Sequence, residues 1–255
     1  MTIKLSLVYV AQDCAAALDR SLRSSVAVAD EILVVDGGSR DATTTVAASH
    51  GARVLQHPWC GFAAQRQFAV EAAGNDWILM LDADEVLRAQ GREAIVELLR
   101  TGPDAGAYFL RRCSYFHGKR IRHGDWAGDR VLRLFDRRHG SYDLSEAVHE
   151  SWHCVGPTAE LGVLALDHYS YETYQQLLQK MQRYAQLSAE KLVARGRPIA
   201  AHAPISHGLA AFLRGYVFRL GLLDGVDGAA IAGTNALGAF MKYAMAREML
   251  QAERR

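Results

Sequence analysis

Within the first hundred residues, short apolar runs alternate with stretches of helical composition, and this alternation limits the chain to very few folds. Ile3–Val10, Glu31–Val35, Ala52–Leu55 and Trp77–Leu81 are the apolar runs; Ala15–Ser25, Asp41–Ser49 and Phe62–Ala73 lie between them. Each run is too short for a helix and closes at turn-forming residues such as Asp36-Gly37-Gly38-Ser39, which identifies buried strands. Strands separated by helices of about ten residues build βαβ units, and their right-handed crossovers give a parallel sheet. The spacing therefore predicts an α/β fold: a Rossmann-like, doubly wound, mostly parallel sheet.

The pattern changes after Thr101. Tyr108–Phe116 and Arg130–Phe135 have the composition of an added antiparallel section, with a turn near His117-Gly118. From Tyr171 the chain is helical in character. Tyr174, Leu177, Leu178, Met181, Tyr184 and Ala185 recur at helical spacing, as do Leu209, Phe212, Leu213, Tyr216, Val217 and Leu220. Arg195-Gly196-Arg197-Pro198, followed by Pro204, has the composition of a linker. The expected division is an α/β body over residues 1–170 and a C-terminal helical extension over residues 171–255. No internal repeat or low-complexity tract interrupts it.

Composition narrows the class further. Half of the 255 residues are hydrophobic and 22% are charged, as in a globular chain with a sizeable core. A net charge of +1 gives no general attraction to nucleic acid. Cys14, Cys60, Cys113 and Cys154 are widely spaced, which fits reduced thiols in the cytoplasm rather than a disulfide framework. The N-terminal apolar run stops at Gln12-Asp13 without a small-residue cleavage site, so a first strand is expected, not a signal peptide. Gly228–Met241 is too short and too rich in Gly and Ala to span a bilayer.

Polar residues fall where the strands end. In open α/β sheets ligands bind beyond the carboxyl ends of the strands. Here those ends carry Gln12-Asp13, Asp36-Gly37-Gly38-Ser39, Gln56-His57 and Asp82-Ala83-Asp84. No GxGxxG follows the first strand and no GxxxxGK[ST] occurs anywhere, so neither a dinucleotide fingerprint nor a P-loop accounts for the rim. An acidic rim meets a phosphate through a divalent cation, and its other carboxylates accept hydrogen bonds from a base or ribose. The run WILMLDADEVL (Trp77–Leu87) drives an apolar strand into Asp82, Asp84 and Glu85. Asp82 and Asp84 are two apart, so in an extended chain they point to one side.

These motifs, VVDGGSRDAT followed by GFAAQRQFAVEAAGNDWILMLDADE, resemble the family 2 glycosyltransferases of the GT-A fold, which transfer a sugar from a nucleotide donor with inversion. The stretch VHESWHCVGPTAELGVLALDHYSYETYQQLLQKMQRYA is similar to the subgroup that adds glucose to the heptose of the lipopolysaccharide inner core. The resemblance implies that Ala11, Asp13 and Asp36 hold the nucleotide and that Arg66 approaches the uracil or diphosphate. It also implies that Asp82 and Asp84 form a DxD for Mg²⁺ or Mn²⁺, with Asp82 in the donor site as well, that His168 is a further metal ligand, and that Glu150 is the general base. The donor it implies is a UDP-sugar, UDP-glucose in this subgroup. The implied acceptor is a lipid-linked or lipopolysaccharide-core saccharide, met in the cytoplasm or at the inner face of the cytoplasmic membrane. One departure stands out: the family has Thr-x-Asn-Glu after its first strand, and this chain has Ala11-Gln12-Asp13-Cys14.

Other readings of the same residues stand beside these. Asp84 and Glu85 could simply cap a helix over Val86–Arg100. LMLDADEVL also resembles the nucleophile motif of haloacid-dehalogenase phosphatases, although that motif belongs on the first strand and three strands precede it here. His149-Glu150-Ser151-Trp152-His153 matches HExxH, the zinc-metallopeptidase pattern, which requires a stable helix; Cys154-Val155-Gly156-Pro157 would end one at once. A sugar-nucleotide-binding protein without turnover would keep the same rim. His168 could be an ordinary core histidine. The basic tract Arg111-Arg112…Lys119-Arg120-Ile121-Arg122 is either a solvated face or a contact for an anionic acceptor or lipid headgroups. The stripe from Leu209 to Leu220, with Arg214 and Arg219, is either buried on the body or interfacial at an anionic membrane surface.

Overall fold

A computed structural model of the chain describes residues 3–144, 151–196 and 198–252. In order, the elements are β1 (Leu5–Ala11), α1 (Ala15–Ser25), β2 (Glu31–Asp36), α2 (Thr43–Ser49), β3 (Arg53–Gln56), α3 (Phe62–Ala72), β4 (Trp77–Leu81), β5 (Glu85–Leu87), α4 (Ala89–Thr101) and β6 (Ala107–Phe116). They continue with β7 (Lys119–Arg120), β8 (Asp129–Asp136), β9 (Gly140–Tyr142), β10 (Trp152–Cys154), β11 (Thr158–Tyr171), α5 (Tyr174–Ala194), α6 (Ala203–Phe212) and α7 (Gly225–Ala252). Two compact units are formed, one from Met1–Cys113 and Gly128–His168, the other from Ser114–Ala127 and Tyr169–Arg255.

In the first unit the parallel strands lie in the order β3-β2-β1-β4, with Val8 opposite both Leu33 and Met80. The order β8-β6-β11-β5 continues the same sheet. β8 runs antiparallel to β4 and to β6, and β5 antiparallel to β11. The expected antiparallel addition is thus a direct extension of the parallel half. Its strands need no crossover helices, which is why the helical rhythm of the sequence stops at α4. β4 is buried along its whole length, as its unbroken apolar run requires. One face of the sheet packs Leu7, Tyr9, Leu79 and Leu81 with Leu18 and Leu22; the other packs Val8, Leu33, Ile78 and Met80 with Ala69 and Val70.

Two details fix the region beyond β4. The buried Tyr9 hydroxyl lies 2.8 Å from both Ser21 Oγ and Ser25 Oγ, and Ser21 Oγ donates to the Glu85 carbonyl, which ties α1 to β5. Gly91 of α4 sits so close to β11 that a Cβ there would lie 2.7 Å from the Ala165 carbonyl oxygen. Only glycine allows that approach.

The helix expected over Val86–Arg100 starts later, at Ala89, because Glu85–Leu87 pairs with β11 as a strand. Glu85 therefore caps nothing; its side chain is fully buried. The HExxH stretch also departs from a helix. Trp152–Cys154 is a strand antiparallel to β9, so His153 is not on a helical face, while His149 and Glu150 lie outside the described residues.

The second unit is centred on Phe116, Ile121, Leu177 and Ile231, with Trp126 and Tyr171 against them. α5 opens with a capping box: Thr173 accepts from the Gln176 backbone, and the Gln176 side chain accepts from the Thr173 backbone. α7 packs on α5 and α6 through small residues; a Cβ at Gly208 would lie 3.2 Å from the Ala236 carbonyl oxygen. The helix expected through Leu220 ends at Phe212 and passes into a wider helical turn over Leu213–Phe218. Leu209, Leu213, Val217 and Leu220 on that stretch are exposed. Among the described residues no helix is long and apolar enough to cross a membrane.

Candidate active site

The acid rim forms at the carboxyl ends of β1, β2 and β4. Asp36, the last residue of β2, is fully buried. Its carboxylate accepts from the backbone N–H groups of Gly38 and Ser39, each at 3.0 Å, and from Ser39 Oγ at 2.5 Å. It thereby folds the Gly37–Ser39 turn back over the end of β1, where the Gly37 N–H donates to the Ala11 carbonyl at 2.8 Å. Gly37 has a steric reason: a Cβ would lie 3.0 Å from the Trp59 ring. Asp13 adopts a left-handed backbone (φ 48°) and accepts from the Arg40 N–H at 2.7 Å, joining the β1 loop to the β2 loop. Cys14 replaces the family's acid. Burial pushes its thiol up to about 11, so it is uncharged at neutral pH and adds no negative charge there.

Beyond β4, Asp82 accepts from two arginines. Arg66 Nη2 on α3 donates to Oδ1 at 2.6 Å, and Arg133 Nη2 on β8 donates to Oδ2. Burial alone would raise the Asp82 carboxyl pKa, but the Arg133 and Arg66 charges outweigh it and hold the group well below the usual carboxylate range. Glu85 lies beneath. It accepts from Arg133 Nε and Nη2 and from Arg112 Nη1, each at 2.9 Å, while Arg112 also donates to Asp129. Three guanidinium groups thus balance three carboxylates, an arrangement that buried charge demands.

Asp84 has a different environment. Its Oδ2 lies 3.4 Å from His168 Nε2. The register of β11 on β5 sets His168 opposite Glu85, directly beside Asp84. A carboxylate oxygen and an imidazole nitrogen so placed suit Mn²⁺ or another borderline divalent cation. Among the described residues no group of three or more His, Cys, Asp or Glu side chains is placed to hold a metal alone. A cation at Asp84 and His168 would take the rest of its shell from phosphate oxygens and water, as such cations do in nucleotide sites.

The fold thus brings Asp82, Asp84, Arg66 and His168 to one end of the sheet, with Ala11, Asp13 and Asp36 at the neighbouring strand ends. Glu150 lies outside the described residues. Sequence reasoning missed Glu85, Arg112, Arg133 and Asp129 as site-building residues. One signal existed: Arg133 sits between Leu132 and Leu134 in RVLRLF, and a cation inside an apolar strand needs a buried acid.

A mixed sheet with this strand order, with Asp82 and Asp84 just beyond β4, has the α/β architecture expected of the GT-A class. The family description "Glycosyl transferase family 2" matches residues 6–157. A lipopolysaccharide core biosynthesis glycosyltransferase of Rhizobium meliloti is 33% identical over 220 residues, covering 84% of this chain and 81% of that one. An uncharacterized glycosyltransferase of Rickettsia typhi is 26% identical over 256 residues, covering 96% and 87%. A solved glucosyl-3-phosphoglycerate synthase of Mycobacterium tuberculosis, in complex with Mn²⁺, UDP and glucosyl-3-phosphoglycerate, is 24% identical with a TM-score of 0.36. It covers 45% of this chain, which spans less than half of that one, 44%. The chain belongs to glycosyl transferase family 2. Family membership sets aside the phosphatase and metallopeptidase alternatives.

Proposed function

We propose that this enzyme moves glucose from UDP-glucose to a lipid-linked saccharide of the lipopolysaccharide core, with inversion, at the inner face of the cytoplasmic membrane. The observation that carries the site assignment is the Asp84–His168 pair beside the Arg66–Asp82–Arg133 cluster. The named activity of the Rhizobium relative supports the acceptor class.

In this reading Asp84 and His168 hold Mg²⁺ or Mn²⁺, which supplies positive charge against the diphosphate as it leaves. Asp82 serves the donor site from a fixed orientation, since an arginine holds each of its oxygens. Any direct share it takes in binding the cation would come at the expense of one of those bonds. Arg66, nearly buried on α3, adds positive charge on the diphosphate side. Ala11, Asp13 and Asp36 shape the loop pair that receives the nucleoside.

Inversion is a single displacement, so a base must stand opposite the leaving diphosphate and no covalent nucleophile is needed. Glu150 takes that role here. What supports it is its flanks: Tyr142 and Trp152 pair across β9 and β10, both pack on Phe135, and the Tyr142 N–H donates to Gln67 of α3 at 3.0 Å. The chain therefore leaves and re-enters the described structure next to the helix that carries Arg66.

The test is a thermal-shift screen of nucleotide sugars with and without Mn²⁺. UDP-glucose with Mn²⁺ should raise the melting temperature more than GDP- or CMP-sugars, since a ligand stabilises the state it binds. A larger shift with another nucleotide class would overturn the donor assignment. UDP release in the presence of a heptose-bearing core saccharide would separate a working transferase from a protein that only binds the donor.

A further inference from the structure

Two stretches of the second unit, a hundred residues apart in sequence, meet at one corner. The first supplies apolar side chains. Ile205, Leu209, Leu213 and Val217 follow one another at four-residue spacing along α6 and the wide turn after it, and all are exposed. Phe218, Leu220, Leu222, Leu223 and Val226 continue the exposure into the start of α7, with Ile205 at 68%, Phe218 at 78% and Val226 at 76%. A folded chain rarely leaves so many neighbouring large apolar side chains in water without a use for them. The corner is rigidly built: Leu220 is left-handed (φ 58°), and Gly221 lies so close to the Gly215 carbonyl oxygen that a Cβ would sit 2.6 Å from it.

The second stretch supplies charge. Asp224, almost fully buried, accepts from the backbone N–H groups of Arg122 at 3.1 Å and His123 at 2.7 Å. Lys119 Nζ donates to the Asp224 carbonyl at 2.9 Å, and the Gly124 N–H donates to the Arg219 carbonyl at 2.8 Å. These bonds fasten the exposed bases Lys119, Arg120 and Arg122 beside Leu222, Leu223 and Val226. Arg214 and Arg219, which share Asp125, lie on the apolar stretch itself and keep more than half of their side-chain surface open. No Asp or Glu occurs from His202 to Leu223. The nearby acids are engaged inside the unit: Asp224 as above, Asp125 with the two arginines, and Asp227 with His117 and Tyr174.

We propose that this corner is the surface on which the enzyme docks to an anionic lipid bilayer. Phe218, Leu222, Leu223 and Val226 enter the acyl boundary, while Lys119, Arg120, Arg122, Arg214 and Arg219 meet headgroup phosphates. Apolar side chains ringed by bases, with no exposed acid among them, complement an anionic interface. They complement a second copy of themselves poorly, since both copies would bring bases to the contact and no exposed acid to pair with them. The inference builds on the membrane-side location of the proposed function by naming the surface, and its test contains no sugar nucleotide, so the two can fail separately.

The experiment is cosedimentation of the full chain with vesicles. Phosphatidylglycerol mixed into phosphatidylcholine should bind the protein, pure phosphatidylcholine should bind far less, and added salt should weaken binding. Arg120→Gln and Arg122→Gln should each lower the vesicle partition coefficient about fivefold. The triple variant Phe218→Ser, Leu222→Ser, Val226→Ser should lower it tenfold or more. Melting temperatures should stay near that of the parent, because these side chains are exposed. Equal binding by the triple variant would overturn the proposal. So would absent vesicle binding, whether the parent stays monomeric or forms a concentration-dependent dimer that the triple variant loses.

Discussion

His168 Nε2, on β11, lies 3.4 Å from Oδ2 of Asp84, in the turn between β4 and β5, although the two residues are far apart in the chain. The contact exists because β11 runs antiparallel to the three-residue β5, whose first residue, Glu85, is opposite His168. A short strand after the DxD thus decides which histidine reaches the acids. Anything that shifts β11 along β5 will separate them.

Gly91→Ala tests that dependence. The added Cβ would press on the Ala165 backbone of β11, which has no flexible end to move aside. Overpacking of this kind costs about 1–3 kcal/mol. The variant should melt several degrees lower and bind UDP in the presence of Mn²⁺ more weakly, as read by calorimetry. Unchanged values for both would show that α4 does not position β11.

Glu85→Gln should be among the most destabilising single changes in the first unit. It removes the charge that Arg133 and Arg112 surround in a fully buried setting. Breaking a buried pair from one side costs about 3–5 kcal/mol. In a chain of this size that corresponds to a melting temperature lower by on the order of 10 °C. A shift within a degree of the parent would mean that the cluster contributes little to folding.

The α/β class and most of the first-unit elements were legible because burial on both faces leaves unbroken apolar runs, as in Trp77–Leu81. Asp82, Asp84 and Arg66 were legible only through a motif, since nothing local says that Arg66 of α3 will meet Asp82 across the end of β4. A cap at Glu85 stayed open as an alternative because the competing force, pairing with β11, comes from a strand some eighty residues on. The Leu209–Leu220 stripe has a periodicity that fits a buried or an interfacial helix equally; only packing decides between them, and here it leaves Leu209, Leu213, Val217 and Leu220 exposed and Phe212 and Tyr216 half-buried.

Acid pH should expose the Asp82 cluster. Its carboxyl is held below the usual range in the folded state by Arg133 and Arg66 against the cost of burial. The stability it contributes is therefore complete above its unfolded value of about 4, and it is lost as pH falls through that value toward the folded one. In urea titrations the Asp82→Asn variant should show a flatter acid limb than the parent below about pH 4. Parallel acid limbs would remove Asp82 as a source of that dependence.

Glu150→Gln should keep UDP-glucose and Mn²⁺ binding and lose transfer by roughly 10²-fold or more, the usual contribution of a positioned base. His153→Ala, on β10, should leave transfer nearly intact. Near-normal transfer by the Glu150 variant would move the role to another acid, with Asp143 and Glu146 the neighbours to examine.

The most direct measurement is a calorimetric titration of UDP into parent, Asp84→Asn and His168→Ala proteins, each with Mn²⁺ and with a chelator. Mn²⁺ should tighten UDP binding to the parent tenfold or more, and each variant should keep its fold and metal-free affinity while losing most of that gain. An unchanged Mn²⁺ dependence in both variants would contradict the assignment of Asp84 and His168 as the metal-holding pair.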